Sequence, residues 1–241
     1  MTTRIRLLEI GAFAGIAAAL SAALAVPPEA TQGDLARMLF VHVPSIWLAY
    51  LSFTVTLVAS AAYLKTKSLR WDRAAGASAE IGVVFTGAAI LSGMIWGKPT
   101  WGVWWTWDAR LVLTAVLFFV YLGYLALRRS TEDPTARARR SAIFGMLAVV
   151  QIPIVHFSVV WWRTLHQQAS IARPGGLEMD PPFVAAFLAA LVAFTVVYVA
   201  LLVRRIELAS TEDEIEAALR RSDLPVAGAA VVTPDLRSAD V

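Results

Sequence analysis

The 241-residue sequence contains no cysteine. This excludes a disulfide scaffold, a thiolate metal site, an iron–sulfur cluster and covalent cysteine chemistry anywhere in the chain. Any metal chemistry in this chain therefore uses histidine, methionine or carboxylate ligands.

Charged residues are also scarce: they make up 16% of the chain, whereas hydrophobic residues make up 58%. A soluble domain usually has about 25% charged and about 45–50% apolar residues. The formal net charge of +3 could suggest a nucleic-acid partner. However, the basic residues are dispersed at the ends of apolar runs and do not form one patch, so no nucleic-acid binding is expected. The long apolar runs indicate a membrane protein.

Six apolar segments are long enough to be membrane spans. A bilayer core of about 30 Å requires about 20 apolar helical residues, because lipid offers no partners for backbone polar groups. The third segment reaches this length only if Ala77–Glu80 or part of the following loop belongs to it. The sequence therefore predicts an all-α, polytopic bundle of six transmembrane helices. The segments are Ile5–Val26, Val41–Leu64, Ile81–Trp96, Leu111–Leu127, Ile143–Val160 and Phe183–Val203.

The distribution of lysine and arginine predicts the orientation. With the amino terminus in the cytoplasm, 16 of the 21 basic residues fall on the inner side. The positive-inside rule then places both termini in the cytoplasm. The five on the outer side are Arg37, Lys98, Arg110, Arg163 and Arg173.

The first apolar run and the polar carboxy-terminal region differ from the rest of the chain. The first apolar run also resembles a signal peptide, although its length favours retention as a span. We expect residues 1–205 to form the membrane domain and residues 206–241 a cytoplasmic tail. In the tail, Thr211 and Glu214 have capping-box spacing, which predicts a short charged helix to about Arg221, followed by a loose end from Leu224.

Tryptophan is concentrated in the loop between the third and fourth spans. Five of the nine tryptophans lie within residues 96–107: Trp96, Trp101, Trp104, Trp105 and Trp107. In a helix, residues 101, 104 and 105 would share one face and form an apolar platform with indole N–H groups at its edge. An aromatic belt at the membrane surface is the alternative interpretation. The number of tryptophans, with Gly97 and Gly102 beside them, favours ligand binding.

The three histidines lie at different depths. His42 is predicted at the outer end of span two, with Pro44 in the first helical turn. His166 lies in the last outer loop, and His156 lies inside span five, where a structural hydrogen bond is the expected role. His42 and His166 thus flank the aromatic platform on the same side of the membrane.

This combination of residues suits haem. Two neutral imidazoles can occupy both axial positions of a haem iron, tryptophans can stack on the porphyrin, and basic residues can pair with its propionates. Spacing alone does not rank the five outer basic residues as propionate partners. Asp108 and Arg110 could instead form an ion pair with each other.

The stretch from Trp96 to Leu111 reads WGKPTWGVWWTWDARL. It resembles the tryptophan-rich WWD signature of the haem-handling proteins of cytochrome c maturation. Together with His42-Val43-Pro44 and the segment from Trp161 to Gln167, WWRTLHQ, it is similar to the CcmC branch. The resemblance covers spans two to five and their outer loops.

The resemblance implies that His42 and His166 are the axial ligands of haem b at the periplasmic face of a bacterial inner membrane. It implies that residues 96–111, including Asp108 and Arg110, hold the haem while it is transferred or attached to the chaperone CcmE. The implied partners are CcmE, the small subunit CcmD, the ATP-driven CcmA and CcmB transporter, and membrane lipid. Because the chain contains no Walker A motif, ATP dependence would come from another chain.

Three other functions are alternatives to haem handling. A b-type electron carrier would hold haem between histidines inside the bilayer, where only His156 is expected. A solute transporter would place charged or broken-helix sites near the midplane, where the spans offer little beyond Gln151, Pro153 and His156. A structural subunit of a transporter complex would need neither His42 nor His166.

Overall fold

The computed structural model describes residues 3–166 and 179–222, and these fold into an α-helical bundle. Successive membrane spans alternate in direction, so the chain passes back and forth between two ends of the bundle. We call the end that carries residues 26–38, 96–110 and 161–166 the tryptophan end, and the opposite end the arginine end. The helices are α1 (Thr3–Ala25), α2 (Leu39–Thr66), α3 (Leu69–Trp101), α4 (Ala109–Arg129), α5 (Pro134–Ala148), α6 (Gln151–Trp161) and α7 (Pro181–Ser222), with a short 3₁₀ helix at Asp34–Met38.

The prediction of six helical spans is confirmed. Six helical stretches are long and apolar enough to cross a membrane. The fifth consists of α5 and α6 together, with a turn at Val149 and Val150 between them. Pro153 follows this turn; its ring and missing N–H disfavour an uninterrupted helix through the preceding turn. The protein is a multi-pass membrane protein.

Two helices are longer than the apolar pattern predicts. α3 begins at Leu69, well before Ile81, so the third span has ample length. α7 continues without interruption to Ser222, and Thr211 lies inside it, where its hydroxyl donates to the Glu207 carbonyl at 3.2 Å. The prediction that Thr211 opens a separate helix is therefore wrong, because its hydroxyl bonds back along a continuing helix. The end from Leu224 lies outside the described residues.

The centre of the bundle is an antiparallel hairpin of α2 and α3, closed by Lys67 in a left-handed conformation (φ 58°). Phe53 of α2 is fully buried and stacks on Tyr121 of α4 with ring centroids 3.5 Å apart. Gly82 of α3 contacts the Phe53 ring so closely that a Cβ at this position would overlap it. This close packing fixes the positions of α2 and α3, which carry His42 and the beginning of the tryptophan-rich segment.

The first helix is an integral part of the bundle. Small residues of α1, including Ala19 and Ala23, pack against Ala190 and Phe187 of α7. Gly15 approaches α7 closely, since a Cβ there would lie 3.6 Å from Ala193. Small residues allow such close helix contacts in membranes, where van der Waals packing stabilises the pair.

Ion pairs connect the helices at the arginine end. Asp72 of α3 is 2% exposed and forms a bidentate salt bridge with Arg128 of α4, in which Nη2 and Oδ2 are 2.9 Å apart. Arg205 of α7 pairs with Glu80 of α3, with Nη2 and Oε1 3.1 Å apart. These pairs join α3 to α4 and to α7 at the end opposite the tryptophans.

Candidate functional site

His42 lies in the first turn and a half of α2, at the tryptophan end. The helix begins at Leu39, directly after the 3₁₀ helix, so Pro44 lies inside α2. The prediction that Pro44 occupies the first helical turn is therefore wrong: the preceding 3₁₀ helix feeds directly into α2 and moves its start upstream. The His42 ring packs edge-on against Trp96 of α3, with centroids 5.9 Å apart.

His166 follows α6 on a non-helical segment in which two hydrogen bonds are formed. Its backbone N–H donates to the Thr164 hydroxyl at 2.9 Å. The preceding N–H, of Leu165, donates to Oδ2 of Asp108 at 2.7 Å. The segment that carries His166 is thus tied to the tryptophan-rich loop.

The two outer histidines face each other across the tryptophan end. The His42 and His166 ring centroids are 6.5 Å apart, with an interplanar angle of 36°. They are 124 residues apart in sequence and come from α2 and from the segment after α6. The structure therefore brings together the two imidazoles that the sequence analysis singled out.

The tryptophan-rich segment differs from the helical face that its spacing suggested. α3 ends at Trp101, and Gly102 adopts a left-handed conformation with φ 81°. Trp104 and Trp105 therefore lie outside a helix, and residues 101, 104 and 105 do not share a helical face. The reason is local: glycine readily ends a helix in this conformation.

The individual indoles have different environments. The Trp101 ring folds back over Gly97, where a Cβ would lie 3.0 Å from its Cε3. Trp105 and Trp107 pack edge to face at 6.3 Å. Trp104 and Trp107 are exposed, the latter by 86%. Two indoles thus remain available for contact with a ligand or with another surface.

Asp108 links the beginning of α4 to the His166 segment. Its Oδ1 accepts a hydrogen bond from the Arg110 N–H at 2.9 Å, which caps the helix, while its Oδ2 accepts the Leu165 N–H. Within the described ranges, no ion pair joins the Asp108 and Arg110 side chains. The structure therefore does not show the ion pair of the alternative interpretation; the hydrogen bonds that Asp108 accepts come from two backbone N–H groups.

Two of the other outer basic residues have partners that restrict them. Lys98 donates to the Gly102 carbonyl at 2.8 Å. Arg37 donates to the Val26 carbonyl at 2.9 Å and pairs with Asp34 at 2.7 Å. Arg163 is exposed, and Arg173 lies outside the described residues. Arg110 is half-buried at the start of α4, where the tryptophan-rich segment ends.

His156 does not join the histidine pair. It lies on the exposed surface of α6, and its ring packs edge-on against Phe157 with centroids 5.0 Å apart. The interior hydrogen bond that was expected for it does not appear among the side-chain hydrogen bonds of residues 3–166.

The loop before the 3₁₀ helix supplies contacts that sequence reasoning missed. Gln32 accepts a hydrogen bond from Nε1 of Trp96 at 2.7 Å. Glu29 holds this loop, since its Oε2 accepts the N–H groups of Gln32 and Thr31 at 2.6 and 2.8 Å. The Gln32 and Thr31 backbone hydrogen bonds lower the pKa of the Glu29 carboxyl. No pattern in the sequence pairs Gln32 with a tryptophan 64 residues away.

Ser92 is a second contact that the sequence did not reveal. Its hydroxyl lies 3.2 Å from Nδ1 of His42, and the neighbouring Gly93 leaves room for the imidazole. In the sequence Ser92 is one of many small residues inside an apolar run, so nothing distinguishes it from ordinary helix packing.

Comparison with known proteins finds relatives that are named for heme export and for cytochrome c biosynthesis. Heme exporter protein C of Bradyrhizobium diazoefficiens is 42% identical over 175 residues, which are 73% of this chain and 66% of that protein. Heme exporter protein C of Haemophilus influenzae is 39% identical over 179 residues, 72% of this chain and 70% of that protein. A putative cytochrome c biosynthesis ccmC-like mitochondrial protein of Marchantia polymorpha is 38% identical over 149 residues.

The matched stretch spans just under two thirds of the Bradyrhizobium and Marchantia proteins, at 66% and 63% of their lengths. The family model for CcmC, described as Heme exporter protein C, matches residues 2–221. A match over this much of the sequence, together with relatives at this level of identity, shows that the chain belongs to the CcmC family.

Proposed function

We propose that this protein binds haem b at its tryptophan end, with His42 and His166 as the axial ligands, and delivers it to a haem chaperone for c-type cytochrome maturation. The observation that carries the proposal is the separation of the two imidazoles. The names of the relatives, which refer to heme export and cytochrome c biosynthesis, agree with it.

The separation of the rings suits two ligands of one metal ion. Two imidazoles that bind opposite sides of one metal ion have ring centroids roughly 6 Å apart, because each metal–nitrogen bond is about 2.0 Å long, the value for zinc. The His42 and His166 centroids are 6.5 Å apart. The observed separation is thus close to that of two imidazoles on one metal ion, which supports the assignment of both rings to the same iron.

The surroundings suit the rest of a haem molecule. Exposed Trp104 and Trp107 offer aromatic faces for the porphyrin. The Arg110 guanidinium is the basic group that we assign to a propionate, because arginine binds carboxylates through a planar pair of N–H donors. Asp108 acts indirectly, by holding the His166 segment against the start of α4.

Delivery of the haem requires that at least one histidine–iron bond be exchanged. His42 and His166 together would hold the iron on both sides and would keep oxygen and other ligands from binding it. His166 lies on a segment outside the helices, whereas His42 lies within α2. We assign the exchangeable axial bond to His166, because a segment outside regular structure moves at lower cost than a packed helix.

The orientation and the partners belong to the same proposal. The excess of lysine and arginine at the arginine end supports an orientation with that end in the cytoplasm. The haem site then faces the periplasm of a bacterium, where a CcmE-like chaperone would receive the haem. A CcmD-like subunit and a CcmA- and CcmB-like transporter would act beside this chain.

Haem content of the purified protein tests the proposal. His42→Ala and His166→Ala should each reduce bound haem strongly in a pyridine haemochrome assay and stop transfer to the chaperone. His156→Ala is the matched control: it also removes an imidazole, but one outside the pair, and should keep haem and transfer. Wild-type haem content in the His42→Ala variant would contradict the assignment.

The same assay separates the competing functions. A b-type electron carrier would lose its haem with His156→Ala. A structural subunit would purify without haem and still assemble with its transporter partners.

A further inference from the structure

Nδ1 of His42 lies beside Ser92 of α3, and the Ala89 carbonyl of the same helix is also close to the imidazole. Ser92 is 9% exposed, and its Oγ lies 3.2 Å from Nδ1 of His42. Gly93 lies against the edge of the ring, where a Cβ would be 3.0 Å from Cε1. The polar contact with Ser92 thus holds the imidazole against α3, and the lack of a side chain at Gly93 allows the ring to approach the helix this closely.

The direction of the Ser92–His42 hydrogen bond follows from the single hydroxyl proton. Ser92 Oγ lies 2.7 Å from the Ala88 carbonyl oxygen one turn earlier in α3. A carbonyl oxygen only accepts, so the serine donates its proton there. Its oxygen then has lone pairs free to accept, so a hydrogen bond donated by Nδ1–H of His42 to Ser92 satisfies both side chains.

We propose that Ser92 is a positioning residue that holds neutral His42 as the Nδ1–H tautomer, which leaves the Nε2 lone pair for the haem iron. This inference rests on the proposed function for its consequence. In a neutral imidazole one nitrogen is a donor and the other an acceptor, so the bond at Nδ1 decides which nitrogen can bind a metal. With the proton on Nε2, that nitrogen could not bind the iron.

The same hydrogen bond affects the iron electronically. A bond donated from the second ring nitrogen increases the basicity of the ligating nitrogen. Because a more basic ligand favours ferric over ferrous haem, the Ser92 contact would lower the reduction potential of a haem bound by His42. A residue with a merely structural role would not change this potential.

The tautomer can be measured without haem. Full-length, haem-free protein labelled with ¹⁵N-histidine in detergent gives a two-dimensional ¹H–¹⁵N spectrum, in which the His42 signals are identified by their loss in His42→Gln. We expect the Nδ1–H pattern at neutral pH in the wild type. An Nε2–H pattern in the wild type would overturn the inference, whether or not the protein binds haem.

Two substitutions isolate the hydroxyl at nearly constant volume. Ser92→Thr keeps the group that bonds both Ala88 and His42, whereas Ser92→Val replaces it with a methyl group. Relative to Ser92→Thr, we expect Ser92→Val to show more Nε2–H tautomer, haem affinity lower by about 10- to 100-fold and a higher reduction potential.

The two measurements fail independently. Equal tautomer populations in Ser92→Thr and Ser92→Val would overturn the role of Ser92, even if both variants bind haem. Absence of haem from the wild type would instead overturn the proposed function, and the NMR result would then decide the tautomer by itself.

Discussion

The Asp108 carboxylate joins the tryptophan-rich segment to the His166 segment, because its Oδ2 accepts the Leu165 N–H. We expect Asp108→Ala to reduce haem binding well beyond its effect on stability, because it releases Leu165, the neighbour of His166. Loss of the helix cap alone costs about 1 kcal/mol. Haem content and thermal unfolding of the purified variant measure the two effects separately.

Asp133 provides the matched control for Asp108. It caps α5 in the same way, accepting the Ala136 N–H at 2.6 Å, but lies at the arginine end. Asp133→Ala should lower stability by a similar amount and keep the haem content of the wild type. Equal loss of haem in both variants would show that Asp108 acts only as a helix cap.

The sequence predicts the number of membrane-spanning helices but not their full lengths. Apolar length predicts the six spans because lipid requires a fully bonded backbone over a fixed thickness. It does not predict where α3 begins or that α7 continues to Ser222, since polar helical turns outside the bilayer carry no hydropathy signal. The pairing of His42 with Ser92 was beyond reach for a different reason: it depends on how α2 packs against α3, which no local pattern encodes.

The contact between α2 and α3 yields a prediction about packing. Gly82→Ala would drive a methyl group into the buried Phe53 ring, and overpacking of this kind costs about 1–3 kcal/mol. We expect a lower unfolding temperature in detergent. Gly123→Ala is the control, because nothing lies within 4 Å of a Cβ there. An unchanged unfolding temperature for Gly82→Ala would contradict this prediction. It would mean that α2 and α3 move apart to admit the methyl group at little cost in free energy.

The bundle as a whole is held together at the arginine end by ion pairs of different burial. Asp72→Asn leaves the Arg128 guanidinium, whose side chain is 15% exposed, without its carboxylate. Breaking such a buried pair costs about 3–5 kcal/mol. Glu80→Gln, which breaks the more exposed pair with Arg205, should cost at most about 1 kcal/mol. Chemical unfolding of the two variants in detergent tests this order, and a reversed order would contradict it.

The predicted orientation of the whole molecule can be tested with single cysteines, because the native chain has none. Thr100→Cys lies at the exposed tryptophan end and Ser130→Cys at the exposed arginine end. In intact spheroplasts, a membrane-impermeant maleimide should label Thr100→Cys at once and Ser130→Cys only after permeabilisation. The reverse pattern would place the histidine pair in the cytoplasm.

The absorption spectrum of the purified wild-type protein, recorded in its oxidised and reduced forms, tests the histidine pair most directly. Two imidazoles on one haem iron should give a low-spin spectrum in both forms. That signature should be lost in His42→Ala and in His166→Ala and kept in His156→Ala. A high-spin spectrum of the wild type, or a low-spin spectrum that survives the loss of His42 or His166, would contradict the account.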